Sequence, residues 1–155
     1  MENFDESMVL LKELLCWDFE DLSSLKLNVH AENSKSKVSE EGKGKLKEWL
    51  SSDFLLYEHF KAKFKAKLSA YGSEKMAQEV ELLRAWNKRA EERCPLKYVA
   101  KGRLPRNERP WGNGVLGYKM LTNDPDCQLM AMQELRFIDL VRETQKKKAL
   151  KLMHE

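Results

Sequence analysis

Apolar side chains recur every three or four residues along most of this chain, which is the spacing of one face of an α-helix. The pattern predicts five helices, near residues 4–17, 39–50, 53–71, 73–94 and 125–150. In the third of these, the apolar stripe consists of Leu56, Tyr57, Phe60, Phe64, Leu68 and Tyr71. The terminal helix is predicted to begin at Asp124-Pro125-Asp126, where a capping residue precedes a proline in the first turn.

The first predicted helix has a broad apolar face. Asp5 is placed to cap it, with Phe4 and Val9 in staple positions on either side. The face itself is formed by Met8, Leu11, Leu14 and Leu15, and Trp17 closes the run. We therefore expect this helix to pack against a substantial apolar surface, with Cys16 as a core thiol.

The remaining segments indicate extended chain and loops. Residues 25–29 alternate apolar and polar side chains and predict a short strand. Residues 96–123 hold two of the four prolines and four of the seven glycines, and predict an ordered loop with one extended piece at 115–120. Because no repeat or linker divides the chain, we expect a single region over residues 1–155, mainly α with one or two short strands.

Composition and charge exclude several classes of protein. The 155 residues are 42% hydrophobic and 34% charged, which allows one domain with a core. A formal net charge of only +3 argues against a dedicated nucleic-acid-binding protein. No apolar run approaches the roughly 20 residues that span a bilayer, and acids at Glu2, Asp5 and Glu6 stand where a signal peptide carries cations.

The three cysteines leave two interpretations open. They contain no CxxC pair, and His30, His59 and His154 lack ligand spacing, so no metal site is expected. Three buried or free thiols are one interpretation. The other is a disulfide between Cys94 and Cys127, which flank the loop-rich stretch.

Motifs of catalysis are scarce, and we assign no catalytic residue. The sequence contains no GxxxxGK[ST], GxGxxG, GxSxG or HExxH motif. His59 lies on a predicted amphipathic helix and is interpreted as a histidine that is hydrogen-bonded at the edge of a packed helix, rather than as a general base. The lysines from Lys61 to Lys67 indicate a solvated helix face, or alternatively a surface for an anionic partner.

The loop from Lys97 to Arg109 carries the strongest candidate for ligand binding. Its cations lie around Gly102 and two prolines, an arrangement in which backbone amides and guanidinium forks can contact a phosphate. Lys101, Arg103 and Arg106 are the candidate phosphate contacts. An ordinary surface loop is the alternative interpretation.

Three blocks of the sequence resemble the galactosylceramide and galactose 3-O-sulfotransferases. Residues 3–17, NFDESMVLLKELLCW, are similar to a long block of that family that ends in Cys-Trp. Residues 19–28 resemble the block that follows, and residues 53–60, DFLLYEHF, resemble a third at a fitting distance. The resemblance is clearest over residues 3–94 and looser over the loop-rich stretch 95–124 and the terminal helix.

This resemblance implies a sulfotransferase of the Golgi membrane, with its domain on the lumenal side. Such enzymes move a sulfonate from 3′-phosphoadenylyl sulfate (PAPS) to the 3-hydroxyl of a terminal galactose on a glycolipid or glycan. Their fold is an α/β, P-loop-like domain, in which this chain would form the C-terminal helical portion.

The family's donor-binding loop lies before the block that opens this chain. We therefore expect an inactive fragment that binds PAPS weakly by itself. The alternative is a self-contained helical module that binds a protein or an acidic surface through Lys61 to Lys67.

Overall fold

A computed structural model describes residues 2–32, 38–112 and 114–152. Seven α-helices lie within these ranges: α1 (Phe4–Leu15), α2 (Phe19–Leu22), α3 (Glu40–Trp49), α4 (Ser51–Tyr71), α5 (Ser73–Arg93), α6 (Pro125–Met130) and α7 (Glu134–Leu152). Strands β1 (Leu96–Val99) and β2 (Gly117–Met120) form an antiparallel pair. The mainly helical fold with a short sheet is confirmed, although β1 falls in a stretch predicted to be loop.

The chain forms two compact units, which we describe separately. Unit 1 comprises Met1–Ser23 and Glu32–Arg89, and unit 2 comprises Ser24–Ala31 and Ala90–Glu155. No helix in the described part of the chain is long and apolar enough to cross a membrane.

The core of unit 1 lies among α1, α2 and α5. Its buried members are Val9, Leu22, Met76, Val80 and Leu83. Partly buried apolar side chains pack against it, including Leu68 and Tyr71 from the carboxyl end of α4. An ion pair between Lys12 and Glu79, 3.1 Å apart and mostly shielded from solvent, joins α1 to α5 beside this core.

The ends of α1 differ from the prediction. Asn3 holds the N-cap position with φ 147° and no side-chain capping bond, and Asp5 instead accepts a 2.7 Å hydrogen bond from Arg84 Nε. At the other end, Cys16 adopts a left-handed conformation with φ 53° and is exposed. The prediction of a core thiol is therefore wrong, because the helix ends one residue before Cys16 and turns its side chain to solvent.

Helix α3 begins as predicted, since the Ser39 hydroxyl accepts a 3.1 Å hydrogen bond from the amide of Gly42. Its apolar side chains are not covered, and Trp49 is 80% exposed. Helix α4 begins at Ser51, two residues before the predicted start. The carboxyl half of its apolar stripe packs within unit 1, whereas Leu56, Tyr57 and Phe60 in the amino half are exposed.

Unit 2 is built on the β1–β2 pair, in which Leu96 lies opposite Met120 and Val99 opposite Gly117. The predicted strand at 25–29 does not form. Instead, this segment is held to the hairpin by an isolated bridge between His30 and Val115 and by backbone hydrogen bonds on either side.

A disulfide joins Cys94, after α5, to Cys127 in α6, which confirms the second of the two interpretations of the cysteines. Both half-cystines are fully buried. Asp124 caps α6 by accepting from the amides of Asp126 and Cys127, as predicted, and it also accepts three hydrogen bonds from the Arg93 guanidinium.

The predicted single terminal helix is wrong, because α6 ends at Met130 and α7 begins at Glu134. Ala131, at the break, is buried, and its carbonyl accepts a 2.5 Å hydrogen bond from the Tyr118 hydroxyl of β2. This contact from β2 satisfies a carbonyl at the helix end, which no proline or glycine in the sequence marks.

Candidate functional site

The basic loop between β1 and β2 is an ordered structure in unit 2. It contains two single-turn 3₁₀ helices, Lys101–Arg103 and Arg106–Glu108, with buried Leu104 between them. Leu104 packs so closely on Gly117 that a Cβ at the glycine would collide with it. The loop is therefore fixed to β2 by packing.

Two of the loop's cations stabilise the loop itself. Arg109 Nε donates a 2.8 Å hydrogen bond to the carbonyl of Leu104. Lys101 Nζ lies 3.3 Å from the carbonyl oxygens of both Trp111 and Gly112. Since an ammonium has three donors, one N–H of Lys101 is left for another acceptor.

Arg103 and Arg106, the other two predicted phosphate contacts, are exposed, and they occupy the two successive 3₁₀ helices. The structure thus places all three candidate residues on one ordered loop. Two of them present guanidinium groups to solvent, where each can form a paired hydrogen bond with a phosphate or sulfonate.

A cleft of about 400 Å³ lies beside this loop within unit 2. Its lining is contributed by the second 3₁₀ helix, β2, α6 and the start of α7: Glu108, Tyr118, Lys119, Met120, Gln128, Ala131, Met132, Gln133 and Arg136. Apolar and polar groups share the wall. A volume and lining of this kind suit a small organic ligand that has both apolar and hydrogen-bonding surfaces.

Tyr118 is a half-buried residue of the cleft lining. Its hydroxyl is occupied by the carbonyl of Ala131, and burial raises the pKa of the phenol, so this side chain stays neutral. Gln128 is held on the rim, where its amide nitrogen donates a 2.7 Å hydrogen bond to the carbonyl of Thr122. The cleft therefore has a fixed aromatic wall and an oriented amide.

Sequence reasoning missed this cleft. Glu108 lies on the second 3₁₀ helix, whereas Gln133 directly precedes α7 and Arg136 lies in its first turn, after an unpredicted break that follows α6. One feature of the sequence could have indicated the cleft: Glu108 is a carboxylate in a cationic loop, two residues after Arg106.

The lysine run on α4 lies in unit 1. The ammonium of Lys61 lies 3.6 Å from Glu2, 3.8 Å from Glu58 and 5.0 Å from the Tyr57 ring centroid. Glu2 has a lowered pKa, chiefly because the Tyr57 hydroxyl donates to it and secondly because of the charge of Lys61. His59 is exposed, with its ring edge-on to Phe60.

Within the ranges that the structure describes, no three His, Cys, Asp or Glu side chains are grouped closely enough to hold a metal ion. The basic loop carries several cations, and the cleft is lined by both charge signs: Glu108, Lys119 and Arg136.

Comparison with known proteins identifies the class. A sequence model of the galactose-3-O-sulfotransferases matches residues 1–145, which include nearly all of both units. The chain belongs to the galactose-3-O-sulfotransferase family.

Two relatives show what share of the length of a family member this chain covers. Galactosylceramide sulfotransferase of Mus musculus is 44% identical over 149 residues, which cover 88% of this chain and 35% of the relative. Galactose-3-O-sulfotransferase 2 of Sus scrofa is 33% identical over 148 residues, covering 88% of this chain and 37% of the relative. The chain thus spans little more than a third of the length of these relatives. No solved structure matches it.

Proposed function

We propose that this chain is the C-terminal helical portion of a sulfotransferase that moves a sulfonate from PAPS to the 3-hydroxyl of a terminal galactose on a glycolipid or glycan. The observation that carries the proposal is the family match over residues 1–145. The name of the 44% identical mouse relative specifies galactosylceramide as its substrate. The complete domain is proposed to be an α/β, P-loop-like fold.

In this reaction, a base removes the proton of the sugar hydroxyl, and cationic groups stabilise negative charge on the transferring sulfonate. Arg103 and Arg106 are the residues of this chain that we assign to the anionic donor, with the remaining N–H of Lys101 as a third donor group. All three lie on the loop that Leu104 fixes to β2. PAPS supplies the activated sulfonate.

We propose that most of the donor site lies in a part of the domain other than this sequence, and that the chain is inactive by itself. The sequence contains no glycine-rich phosphate loop. Unit 1 also presents uncovered apolar surface, since Trp49 and Leu55 are 80% and 75% exposed. Large apolar side chains that are exposed to this degree are typical of a surface that another part of a protein covers.

A groove in unit 1 supports the same proposal. It has a volume of about 740 Å³ and lies between α1 and α4, lined mainly by apolar side chains that include Leu10, Leu11, Leu14 and Phe64. Leu14 is 75% exposed beside it. We propose that the rest of the sulfotransferase domain packs along this groove.

The proposed location is the lumenal side of the Golgi membrane. The Cys94–Cys127 disulfide supports it, because disulfides form and persist in oxidising compartments of the secretory route.

The experiment that tests the function is a chimera. The aligned stretch of the mouse galactosylceramide sulfotransferase is replaced by this chain, and transfer of labelled sulfonate from PAPS to galactosylceramide is measured. We expect activity in the chimera and none in the chain alone. The unmodified mouse enzyme serves as the reference.

Two outcomes would contradict the proposal. A folded chimera without sulfonate transfer to any galactoside would show that this chain cannot serve in such an enzyme. Transfer by the chain alone would show that the donor site lies within it after all.

A further inference from the structure

We propose that the cleft in unit 2 is a saccharide-binding subsite that takes the galactose of the acceptor. The proposal rests on the sulfotransferase function above and assigns residues to one of its two substrates. It is drawn from the lining of the cleft and from its place beside the cationic loop.

Three half-buried side chains of the cleft lining have the chemistry to contact the flatter C–H face of a pyranose ring. The Tyr118 hydroxyl is occupied by Ala131, so its aromatic ring is the part of the side chain that remains to contact a ligand. Met120 and Met132 belong to the same lining, and methionine side chains adapt to irregular ligand surfaces. A sugar ring can therefore bury carbon-bound hydrogens here without losing hydrogen bonds from its hydroxyls.

Other side chains that line the cleft offer both the hydrogen-bond donors and the hydrogen-bond acceptors that sugar hydroxyls require. The carboxylate of Glu108 accepts hydrogen bonds only, and the guanidinium of Arg136 donates only. Gln133, which directly precedes α7, can do both. Because a hydroxyl is donor and acceptor at once, neighbouring hydroxyls of one sugar can be satisfied together.

The position of the cleft suits an acceptor. Arg106 and Glu108 are the first and last residues of the same single-turn 3₁₀ helix, so the proposed donor contact and the cleft wall share one rigid turn. Sulfonate transfer requires the sugar hydroxyl to lie against the sulfur of the donor. A galactose in the cleft lies beside the loop that we assign to that donor.

The test is a titration of the ¹⁵N-labelled chain with methyl β-galactoside, followed by amide chemical shifts. We expect saturable shifts at Tyr118, Gln133 and Arg136. Galactitol, which has the sugar's hydroxyl groups but no rigid ring face, serves as the matched probe and should bind at least about tenfold more weakly. Absence of shifts with the galactoside, or equal shifts with galactitol, would overturn the proposal.

Variants then test the assigned residues. Glu108→Gln keeps the shape of the side chain but removes the charge, and should weaken galactoside binding about tenfold. Glu143→Gln, an exposed change on α7 outside the cleft, should leave binding unchanged. If Glu108→Gln does not fold, Arg136→Gln replaces it. Unaltered binding in a folded Glu108→Gln or Arg136→Gln variant would contradict the assignment.

The chimera separates failure of this proposal from failure of the proposed function. If it transfers sulfonate but Glu108→Gln leaves the KM for galactosylceramide unchanged, the cleft assignment is wrong and the function stands. If the chain binds galactoside in the cleft while the folded chimera is inactive, galactose binding by the cleft stands, and both the proposed function and the acceptor role of the cleft are wrong.

Discussion

Leu82 and Leu83 are neighbours in α5 with opposite surroundings. Leu83 is 1% exposed within the core of unit 1, and Leu82 is 49% exposed. The helical turn of 100° per residue separates them, because it directs one side chain toward α1 and α2 and the other toward solvent.

Leu83→Ala should lower the free energy of unfolding by about 3 kcal/mol, since it removes buried methyl groups and leaves a cavity. Leu82→Ala is the matched control and should change it by less than about 1 kcal/mol. Urea denaturation followed by circular dichroism measures both. Equal losses in the two variants would mean that α5 does not present this face to the core.

Individual residues also show where sequence reasoning reaches its limit. Asp5 has the chemistry of a helix cap, yet its carboxylate pairs with Arg84, 79 positions away. Local sequence identifies what a side chain can do, but a distant partner decides which of its options is realised.

At the scale of elements, the Asp124 side chain connects two helices, α5 and α6. Its carboxylate caps α6, and Arg93 at the end of α5 binds the same oxygens. Hydrogen bonding from Arg93 is the main cause of a pKa lowered below the ordinary value of 3.8 for this carboxyl. The ionised form is therefore the one that the folded chain stabilises.

The melting temperature should consequently fall with pH as Asp124 becomes protonated. Its contribution to stability is present above pH 3.8 and is lost as the pH falls through the lowered pKa of the folded state. Asp124→Asn keeps a capping group but loses the charge, so it should lower Tm at pH 7 and reduce the drop in Tm between about pH 5 and pH 2. Asp139→Asn, an exposed change in α7, is the control. An unchanged pH profile in Asp124→Asn would refute this role.

The disulfide links the residue that follows α5 covalently to α6. Cys94 and Cys127 are 33 positions apart, and closing a loop of this length restricts the unfolded chain. Replacing both by serine should cost about 2–5 kcal/mol of unfolding free energy, measured by urea denaturation. Reductant should destabilise the wild-type chain and leave the double variant unaffected. A wild-type chain insensitive to reductant under unfolding conditions would contradict this prediction.

The elements themselves were predictable to different degrees. The positions of α1, α3, α4 and α5 and the caps at Ser39 and Asp124 follow from periodicity and short-range chemistry. The strand β1 and the break after Met130 were not predicted, because both depend on contacts with β2. The candidate loop was predicted by its cations, whereas the cleft beside it required the tertiary structure.

For the whole molecule, the uncovered half of the α4 stripe has a measurable consequence. Leu56 and Phe60 are 58% and 57% exposed, so the isolated chain should self-associate through them. The double variant Leu56→Lys/Phe60→Lys should reduce self-association in sedimentation velocity without lowering Tm. Leu68→Lys, on the part of the stripe that packs on the core, should lower Tm. Unchanged self-association in the double variant would show that the chain does not self-associate through this surface.

The sequence by itself determined the helical character of the chain, the candidate cationic loop and the family resemblance. Helical character depends on the spacing of nearby residues, the cationic loop on residue type, and the resemblance on matching stretches of sequence. All three can be read from the sequence without knowledge of the fold. Tertiary structure alone decided that Cys16 is exposed, that Cys94 meets Cys127, and that α4 is covered over only half its stripe. Each of these depends on which distant surface comes within a few ångströms, and an apolar side chain has the same identity whether or not that surface is present.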